Sequence, residues 1–194
     1  MNHFIGQKAP SFRCEAIVEG RIIPDFTLER YLGKYVVLFF YPLDFTFVCP
    51  TELHAFEDKL TDFKARGAEV IGCSVDSAHC HLAWLRTPKA EGGIEEISYP
   101  LIADLKKEVS TLFNVLAPEG ISYRGLFLID KQGKIRHYLI NDLPLGRSVD
   151  EALRTLDALI YVESHGEVCP ANWRKGQKAM SATKEGLTSY FANR

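Results

Sequence analysis

Cys49 lies between two patterns that predict different secondary structures. The seven-residue apolar run 35–41 is typical of a strand buried on both faces, and apolar residues from Leu53 to Phe63 recur at helical spacings of 3, 4 and 3. Pro50 fits the first position of that helix, where a missing N–H costs nothing. Cys49 is therefore predicted at a helix start after a buried strand, where unpaired backbone N–H groups favour the thiolate form.

A thiolate at this place is well positioned for nucleophilic chemistry, because open α/β sheets carry their reactive groups at the carboxyl ends of the strands. The alternative is an inert, buried cysteine, which is the commoner role of cysteines in general. The strand-to-helix junction, and Thr46 three residues upstream of Cys49, favour the functional interpretation. These residues predict a reactive thiol and leave its reaction open.

The cysteine content argues against a framework of structural disulfides. The chain has five cysteines, an odd number, and residues 1–8 lack the apolar core of a signal peptide. We therefore expect a cytoplasmic protein whose thiols are kept reduced. The five are Cys14, Cys49, Cys73, Cys80 and Cys169. Any of them that has a function should act as a nucleophile, a redox partner or a ligand.

Composition and charge exclude several classes of function. A chain of 194 residues with 46% hydrophobic and 25% charged content is typical of one soluble globular domain. The formal net charge of -2 and the pI near 6.3 provide no basic field for a nucleic-acid backbone. The longest apolar run, 35–42, is far shorter than the roughly 20 residues that span a bilayer. We expect neither nucleic acid nor a membrane as a partner.

The order of the predicted elements indicates an α/β fold. After the strand 35–41 and its helix, residues 69–75 form a second buried strand and residues 81–86 a helix, which is the pattern of a parallel βαβ unit. The later elements are a strand at 101–103, a helix at 106–113, a hairpin at 125–140 and a helix at 149–160. This order predicts a thioredoxin-like fold.

Two segments flank that fold in the predicted domain organisation. We expect a thioredoxin-like domain at 1–163, which includes an N-terminal extension, and a C-terminal tail at 164–194. In the tail the periodicity fades, and Gly166, Pro170 and Gly176 interrupt it. The tail is therefore expected to be rich in loops and to pack on something else.

Several motifs occur in the order found in the peroxiredoxins. The spacing Pro42-x-x-x-Thr46-x-x-Cys49 resembles their peroxidatic motif, and residues 168–173 (VCPANW) resemble the resolving-cysteine segment of the typical two-cysteine subfamily, the alkyl hydroperoxide reductase C or thioredoxin peroxidase type. Further similar segments are 76–84, 100–104 and 123–130. The resemblance covers essentially the whole chain, and two cysteine motifs together are far more specific than either alone.

The resemblance implies a thiol-dependent peroxidase that reduces hydrogen peroxide and organic hydroperoxides. In such an enzyme the Cys49 thiolate attacks a peroxide oxygen and becomes a sulfenic acid, which condenses with Cys169 of a partner subunit to a disulfide. The resemblance assigns Thr46 to positioning the peroxide, Arg124 to the thiolate and the departing oxygen, and Pro42 to the shape of the pocket. The implied roles are antioxidant defence and redox homeostasis.

The same resemblance implies the partners. A thioredoxin-like dithiol protein would reduce the disulfide, and the subunits would form homodimers that assemble to a decamer. No cofactor and no metal are expected. The strongest metal candidate is His79-Cys80-His81 with Cys73 nearby, but its alternating residues point to different faces and no Cys-x-x-Cys pair is present.

Other interpretations stay open at this point. A general thiol–disulfide oxidoreductase would need a Cys-x-x-Cys pair, whereas position 52 is Glu. A chaperone-like or signalling assembly is compatible with peroxidase activity and could accompany it. From the residues alone, Thr46 fits a helix-cap hydroxyl, Arg124 a surface ion pair, and Glu52 a first-turn carboxylate that the helix dipole favours. His54 is expected to be solvated on the polar side of its helix.

Overall fold

The structure is a computed structural model and describes residues 3–192. This part of the chain contains seven strands and six α-helices. The strands are β1 (Cys14–Val18), β2 (Arg21–Phe26), β3 (Tyr35–Phe40), β4 (Ala68–Ser74), β5 (Leu101–Ala103), β6 (Arg124–Ile129) and β7 (Ile135–Asn141). The helices are α1 (Val48–Asp58), α2 (Leu60–Ala65), α3 (Ala78–Trp84), α4 (Glu108–Leu112), α5 (Val149–His165) and α6 (Lys184–Ala192).

The strands form one mixed sheet in the order β2-β1-β5-β4-β3-β6-β7. β3 pairs in parallel with β4, and β4 with β5, whereas the other pairs are antiparallel. β3 has a neighbour on each side and all six of its residues are buried, as predicted for the central strand. The parallel βαβ unit and the β6–β7 hairpin are also confirmed, and the fold is the predicted thioredoxin-like α/β arrangement.

The N-terminal extension forms a hairpin of β1 and β2, and β1 pairs with β5. The sequence patterns predict no strand in this segment. β2 lies at the edge of the sheet, is half exposed and contains Pro24, so it lacks the continuous apolar run by which β3 and β4 were recognised. An edge strand of this kind depends on its pairing partners more than on its own sequence.

Helix α1 differs from the prediction in two details. It begins at Val48, earlier than predicted, so that Pro50 takes its third position and Glu52 lies beyond its first turn. Proline is tolerated there because the first four N–H groups of a helix have no intrahelical acceptor. The single helix predicted through Phe63 is divided at Lys59, whose φ of -104° and ψ of 5° leave the helical region.

Aromatic stacking holds α1 against the sheet. Phe39 of β3 stacks on Phe56 of α1, with ring centroids 4.3 Å apart and ring planes inclined by 14°. The next residue of β3, Phe40, points to the opposite face, where it packs against Phe113 and Phe127 in the main core. β3 therefore joins two packed layers, and its carboxyl end supports the start of α1, where Cys49 lies.

The chain divides into two compact units, the first ending at Val149 and the second beginning at Asp150. The second unit contains nearly all of α5, a loop-rich segment and α6. The predicted domain boundary at 163–164 stays a prediction, and its outer limits at residues 1 and 194 lie outside the described residues. No helix between residues 3 and 192 is long and apolar enough to cross a membrane.

Candidate active site

Cys49 occupies the first turn of α1 and has no solvent-exposed surface. The loop 41–47 that leads to it is held by side chains rather than by regular structure. The Tyr41 hydroxyl donates to Asp44 Oδ1 at 2.9 Å, and the Asp44 N–H donates to Asp76 Oδ2 at 2.9 Å. These bonds tie the loop to the segment after β4, so the residues just before Cys49 are fixed in place.

Thr46 lies in this loop, three residues before Cys49. Its hydroxyl donates to the Leu43 carbonyl at 2.9 Å. Because the hydroxyl proton is used in that bond, the oxygen keeps its lone pairs for a ligand that carries an O–H group. Toward a bound molecule Thr46 would therefore act as a hydrogen-bond acceptor.

Arg124, the first residue of β6, contacts the cysteine directly. Its Nη1 donates to Cys49 Sγ at 3.5 Å and to Glu52 Oε2 at 2.7 Å, and its Nε donates to the Leu143 carbonyl at 2.6 Å. The side chain is only 4% exposed, which excludes the surface ion pair considered from the sequence. Among residues 3–192 its Nη2 has no hydrogen-bond partner, and this donor is available to a ligand.

Glu52 and Arg147 hold Arg124 in this orientation. The backbone N–H and the Nε of Arg147 both donate to Glu52 Oε1 at 2.8 Å, and its Nη2 donates to Oε2 at 2.8 Å. The Nη1 of Arg147 donates to the carbonyls of Phe40 and Gly125 at 2.7 and 2.6 Å. The carboxylate is thus anchored to strands β3 and β6, and it bridges two guanidinium groups.

The network beside Cys49 is strongly charged. Burial alone would raise the pKa of Glu52, but hydrogen bonds and charge from Arg147, together with the charge of Arg124, hold that pKa below its ordinary value. One carboxylate then faces two guanidinium groups, so the buried cluster has an excess positive charge. Arg124 brings this positive charge to the Cys49 sulfur.

A cavity of about 310 Å³ opens beside Arg124. Its walls are apolar apart from Arg124 and Thr46. The other lining residues are Pro42, Phe47, Val48, Ile121, Leu143 and Pro144. The structure therefore brings together Pro42, Thr46 and Arg124, and Cys49 joins them through its contact with Arg124. Apolar walls limit the water beside Arg124 and leave space for a small substrate.

These groups are the ones that the reduction of a hydroperoxide requires. A nucleophilic sulfur must attack one oxygen in line with the O–O bond, and negative charge then develops on the departing oxygen. A fixed guanidinium beside the sulfur stabilises the negative charge on the sulfur and on the departing oxygen, because it keeps its proton at any relevant pH. The acceptor oxygen of Thr46 can bind the peroxide proton and so determine which oxygen faces the sulfur.

Cys169 lies in the second unit, in the segment between α5 and α6. It is half buried, and its thiol donates to the Ala158 carbonyl of α5 at 3.8 Å. Burial raises the pKa of the Cys169 thiol above its ordinary value; the charge of Arg154 partly offsets this rise and that of Glu167 adds to it. In the folded state Cys169 is therefore a protonated thiol.

The sequence patterns do not identify Arg147, and they give Glu52 a smaller role than it has in the structure. Arg147 lies in a loop without periodicity or motif, and its partner Glu52 is 95 residues away along the chain. No local signal identifies such a residue. For Glu52 the helix dipole offered a sufficient explanation, and only its burial between two arginines shows that it organises the site.

His54 is not solvated, and that prediction was wrong. The side chain is buried and its Nε2 donates to the Gly93 carbonyl at 3.0 Å. Close by, the Tyr99 hydroxyl donates to the Leu53 carbonyl at 2.9 Å. The segment 92–99 packs over the side of α1 that its own sequence marks as polar, so the error came from judging one helix without its neighbour.

One residue of the metal candidate, His81, is engaged in hydrogen bonds through its ring. The ring of His81 bonds Asp44 Oδ2 at 2.7 Å and the Ile102 carbonyl at 3.1 Å. Possible ligand atoms of Asp44, Asp76 and Cys80 do lie within 4.8 Å of one another. However, burial and these two carboxylates raise the pKa of Cys80 to about 12, which keeps it a thiol. The cluster serves to fix the loop before Cys49.

Replacing Glu52 with glutamine should destabilise the protein by about 3 to 5 kcal/mol at pH 7, because two buried guanidinium groups lose their counter-ion. The pKa of Glu52 is lower in the folded state than in the unfolded state. Its contribution to stability is therefore present above the unfolded-state pKa and is lost as pH falls through the folded-state pKa. The difference in the free energy of unfolding between wild type and Glu52→Gln should therefore become smaller in acid. Urea unfolding across this pH range measures it.

Glu119→Gln provides the control for this prediction, since Glu119 is exposed in a loop. That variant should stay within about 0.5 kcal/mol of wild type at every pH. If both variants were equally stable at pH 7, Glu52 would not be the anchor of the arginine pair.

Comparison with known proteins agrees with this geometry. The family model described as the AhpC/TSA family matches residues 5–138, and the model described as the C-terminal domain of 1-Cys peroxiredoxin matches residues 158–193. Despite the name of the second model, the matched segment of this chain contains Cys169. The two matches together include both cysteine motifs.

Relatives and solved structures match this chain over nearly its whole length. The chain is 50% identical over 190 residues to the thioredoxin peroxidase of Echinococcus granulosus, covering 97% of this chain and 98% of that protein. It is 52% identical over 185 residues to alkyl hydroperoxide reductase C of Helicobacter pylori, covering 94% and 93%. The reduced 2-Cys peroxiredoxin of Plasmodium vivax matches with a TM-score of 0.95 and 45% identity, covering 98% of this chain and 100% of that one.

The site and the comparisons define a thiol-dependent peroxidase on a thioredoxin-like fold. The chain belongs to the AhpC/TSA family of peroxiredoxins. The resemblance indicated by the two cysteine motifs is thereby confirmed, and so is the enzyme class. The roles of the individual site residues stay predictions.

Proposed function

We propose that the chain reduces hydrogen peroxide and organic hydroperoxides by a cycle in which Cys49 attacks the peroxide and Cys169 of a second subunit resolves the product. The contact of Arg124 Nη1 with Cys49 Sγ at 3.5 Å, inside a network with excess positive charge, is the observation that carries this proposal. It combines a nucleophile with a fixed cation in a buried site. The name of the Helicobacter pylori relative supports organic hydroperoxides as substrates.

In the first step the Cys49 thiolate attacks the terminal oxygen of the hydroperoxide. A sulfur–oxygen bond forms and the O–O bond breaks, so that the sulfur is oxidised to a sulfenic acid and the peroxide is reduced. The departing oxygen takes up a proton and leaves as water or an alcohol. Arg124 stabilises the charge on both atoms, Thr46 accepts a hydrogen bond from the peroxide, and Pro42 closes one wall of the cavity.

In the second step the sulfenic acid of Cys49 condenses with Cys169 of the partner subunit and releases water. Cys169 is a free thiol in the loop-rich part of the second unit, where a segment can be displaced at lower cost than in a buried strand. The 2-Cys name of the Plasmodium vivax structure supports a second participating cysteine. Two equivalent disulfides would then link a two-fold homodimer.

A dithiol protein of the thioredoxin type completes the cycle by reducing the disulfide, as the name of the Echinococcus granulosus relative suggests. Neither step needs a cofactor, because the electrons come from thiols. We include in the proposal that homodimers assemble to a decamer and that the enzyme acts in the cytoplasm, where thiols are kept reduced.

Peroxide should convert the reduced protein to a disulfide-linked dimer on a non-reducing gel. Cys169→Ser should remove the dimer band while Cys49 still reacts with the first equivalent of peroxide. Cys80→Ser is the matched control, because Cys80 is also half buried, but burial and two carboxylates raise its pKa and keep it a thiol. A monomeric wild-type band after oxidation, or a dimer that persists without Cys169, would contradict the proposed resolving step.

A further inference from the structure

One stripe of helix α5 faces the segment that contains Cys169. Its residues are Arg154, Ala158, Tyr161 and His165, whose spacings of 4, 3 and 4 place them on a single helical face. The stacked rings of Tyr161 and His165, with centroids 4.0 Å apart, form the end of the stripe nearest the tail. Arg154 forms the other end.

The tail runs back along this stripe in the opposite direction to α5. The Tyr161 hydroxyl donates to Glu167 Oε2 at 2.6 Å, the Cys169 thiol donates to the Ala158 carbonyl at 3.8 Å, and Arg154 Nη1 donates to the Trp173 carbonyl at 3.0 Å. Each later residue of the tail thus contacts an earlier residue of the helix. Cys169 lies between two anchors, one at each end.

The anchor at Trp173 is the more extensive of the two. Its side chain is 1% exposed and packs on Tyr161 with ring centroids 4.9 Å apart, and its indole N–H donates to the Gln177 carbonyl at 3.0 Å. Arg154 is itself held rigid, because its Nε and Nη2 both donate to the Glu151 carboxylate at 2.7 Å. A bidentate pair of this kind fixes the plane of the guanidinium group.

The docked position keeps Cys169 inactive. A thiol that donates to a carbonyl is protonated, and burial raises its pKa further. Only the thiolate attacks a sulfenic sulfur. Cys169 must therefore leave the α5 stripe before it can react, and the anchors determine how often it does so.

We propose that Arg154 is a positioning residue for the resolving step: by holding the Trp173 carbonyl it keeps Cys169 docked on α5 and so limits the rate of disulfide formation. This inference rests on the proposed function of Cys169. The step it controls balances without further reactants. The Cys169 thiolate forms a bond to the sulfenic sulfur of Cys49, the sulfur–oxygen bond breaks, and the hydroxide takes a proton to leave as water.

The consequence is a kinetic competition at Cys49. While Cys169 stays docked, a second peroxide can oxidise the sulfenic acid to sulfinic acid. Weaker anchoring should therefore speed disulfide formation and lower the sulfinic fraction. The reaction of Cys49 with the first peroxide should not change, because the hydrogen bonds of Arg154 are made to Glu151 and to the Trp173 carbonyl.

Undocking can be measured directly by alkylation of Cys169 with iodoacetamide, read by peptide mass spectrometry in a Cys49→Ser background. Arg154→Gln should accelerate alkylation roughly tenfold, the size expected when one charged hydrogen bond is lost. Arg154→Lys should restore most of the docking, since an ammonium group can still donate to the Trp173 carbonyl. Arg174→Gln, the same charge change at an exposed arginine of the tail, should leave the rate unchanged.

The same substitutions in the protein with Cys49 test the consequence. After one equivalent of peroxide, Arg154→Gln should form the dimeric disulfide several-fold faster than wild type, and with excess peroxide it should contain less sulfinic acid. If Arg154→Gln fails to fold, Glu151→Gln frees the guanidinium plane and should act in the same direction with a smaller effect.

Two results would overturn the proposal. Unchanged alkylation in folded Arg154→Gln would mean that other contacts hold the tail, and slower alkylation would mean that Arg154 serves to stabilise the Cys169 thiolate. Arg154→Gln could accelerate alkylation while no variant that retains Cys49 forms a Cys49–Cys169 disulfide. That result would refute the proposed resolving function and leave the docking by Arg154 intact.

Discussion

Replacing Cys49 with serine should lower peroxide-dependent NADPH consumption, measured with thioredoxin and thioredoxin reductase, by more than about 1,000-fold. A serine hydroxyl stays protonated beside Arg124 and is a far weaker nucleophile than a thiolate. Cys49 is also the only one of the five cysteines for which the structure shows a hydrogen bond from an arginine side chain within residues 3–192. The loss should appear equally in a single-turnover measurement without thioredoxin.

The other cysteines provide the control for this loss. Burial and nearby carboxylates raise the pKa of Cys14 and of Cys80 to about 12, and burial raises that of the core residue Cys73. Cys80→Ser should therefore retain the peroxide reaction, since its hydroxyl can replace the thiol as a donor to Asp44 and Asp76. Substantial peroxidase activity in Cys49→Ser would show that another thiol is the nucleophile.

Arg124→Ala should slow the reaction of Cys49 with peroxide by about 100- to 1,000-fold, since it removes the donor nearest to the developing charge. The fold should survive the change. Glu52 keeps its hydrogen bonds from Arg147, so no buried carboxylate is left unpaired, and the melting temperature should fall by only a few degrees. Rapid-mixing kinetics of the first oxidation and thermal unfolding measure the two effects separately.

Two further variants sharpen this test. Arg124→Lys should be intermediate, because one ammonium group cannot serve the Leu143 carbonyl, Glu52 and Cys49 in the geometry of a planar guanidinium. Arg136→Ala removes an arginine that is 39% exposed and should leave the peroxide reaction unchanged. A collapse of the fold in Arg124→Ala would make Arg124 a structural residue and withdraw its catalytic role.

The arginine pair also explains why the site needs Glu52. Two guanidinium groups beside one thiolate would repel each other and disperse, whereas the carboxylate between them makes an alternating row of charges in which each cation has an anionic neighbour. Arg147 connects this row to the carbonyls of two central strands. The reactivity of Cys49 is thus linked to the rigidity of the sheet, and not only to the start of α1.

The sequence by itself determined the features that depend on neighbouring residues. The run 35–41 is continuously apolar and short for a helix, which is typical of a buried strand, and Pro42, Thr46 and Cys49 lie within one strand-to-helix connection. Local periodicity and one short motif therefore sufficed for the central strand and the position of the nucleophile. The family followed by resemblance from the two cysteine motifs together. The start of α1 was predicted at Pro50 and lies at Val48, because the ends of helices depend on capping contacts.

Only the tertiary structure decided which distant residues complete the site. Arg124 is 75 residues from Cys49, and Arg147 is 95 residues from Glu52. Such pairs leave no periodic signal, because they meet only when β3 and β6 lie side by side in the sheet. The same reason applies to His54, which another segment buries. Sequence patterns report what a residue's neighbours along the chain require, whereas burial and charge pairing arise from neighbours in space.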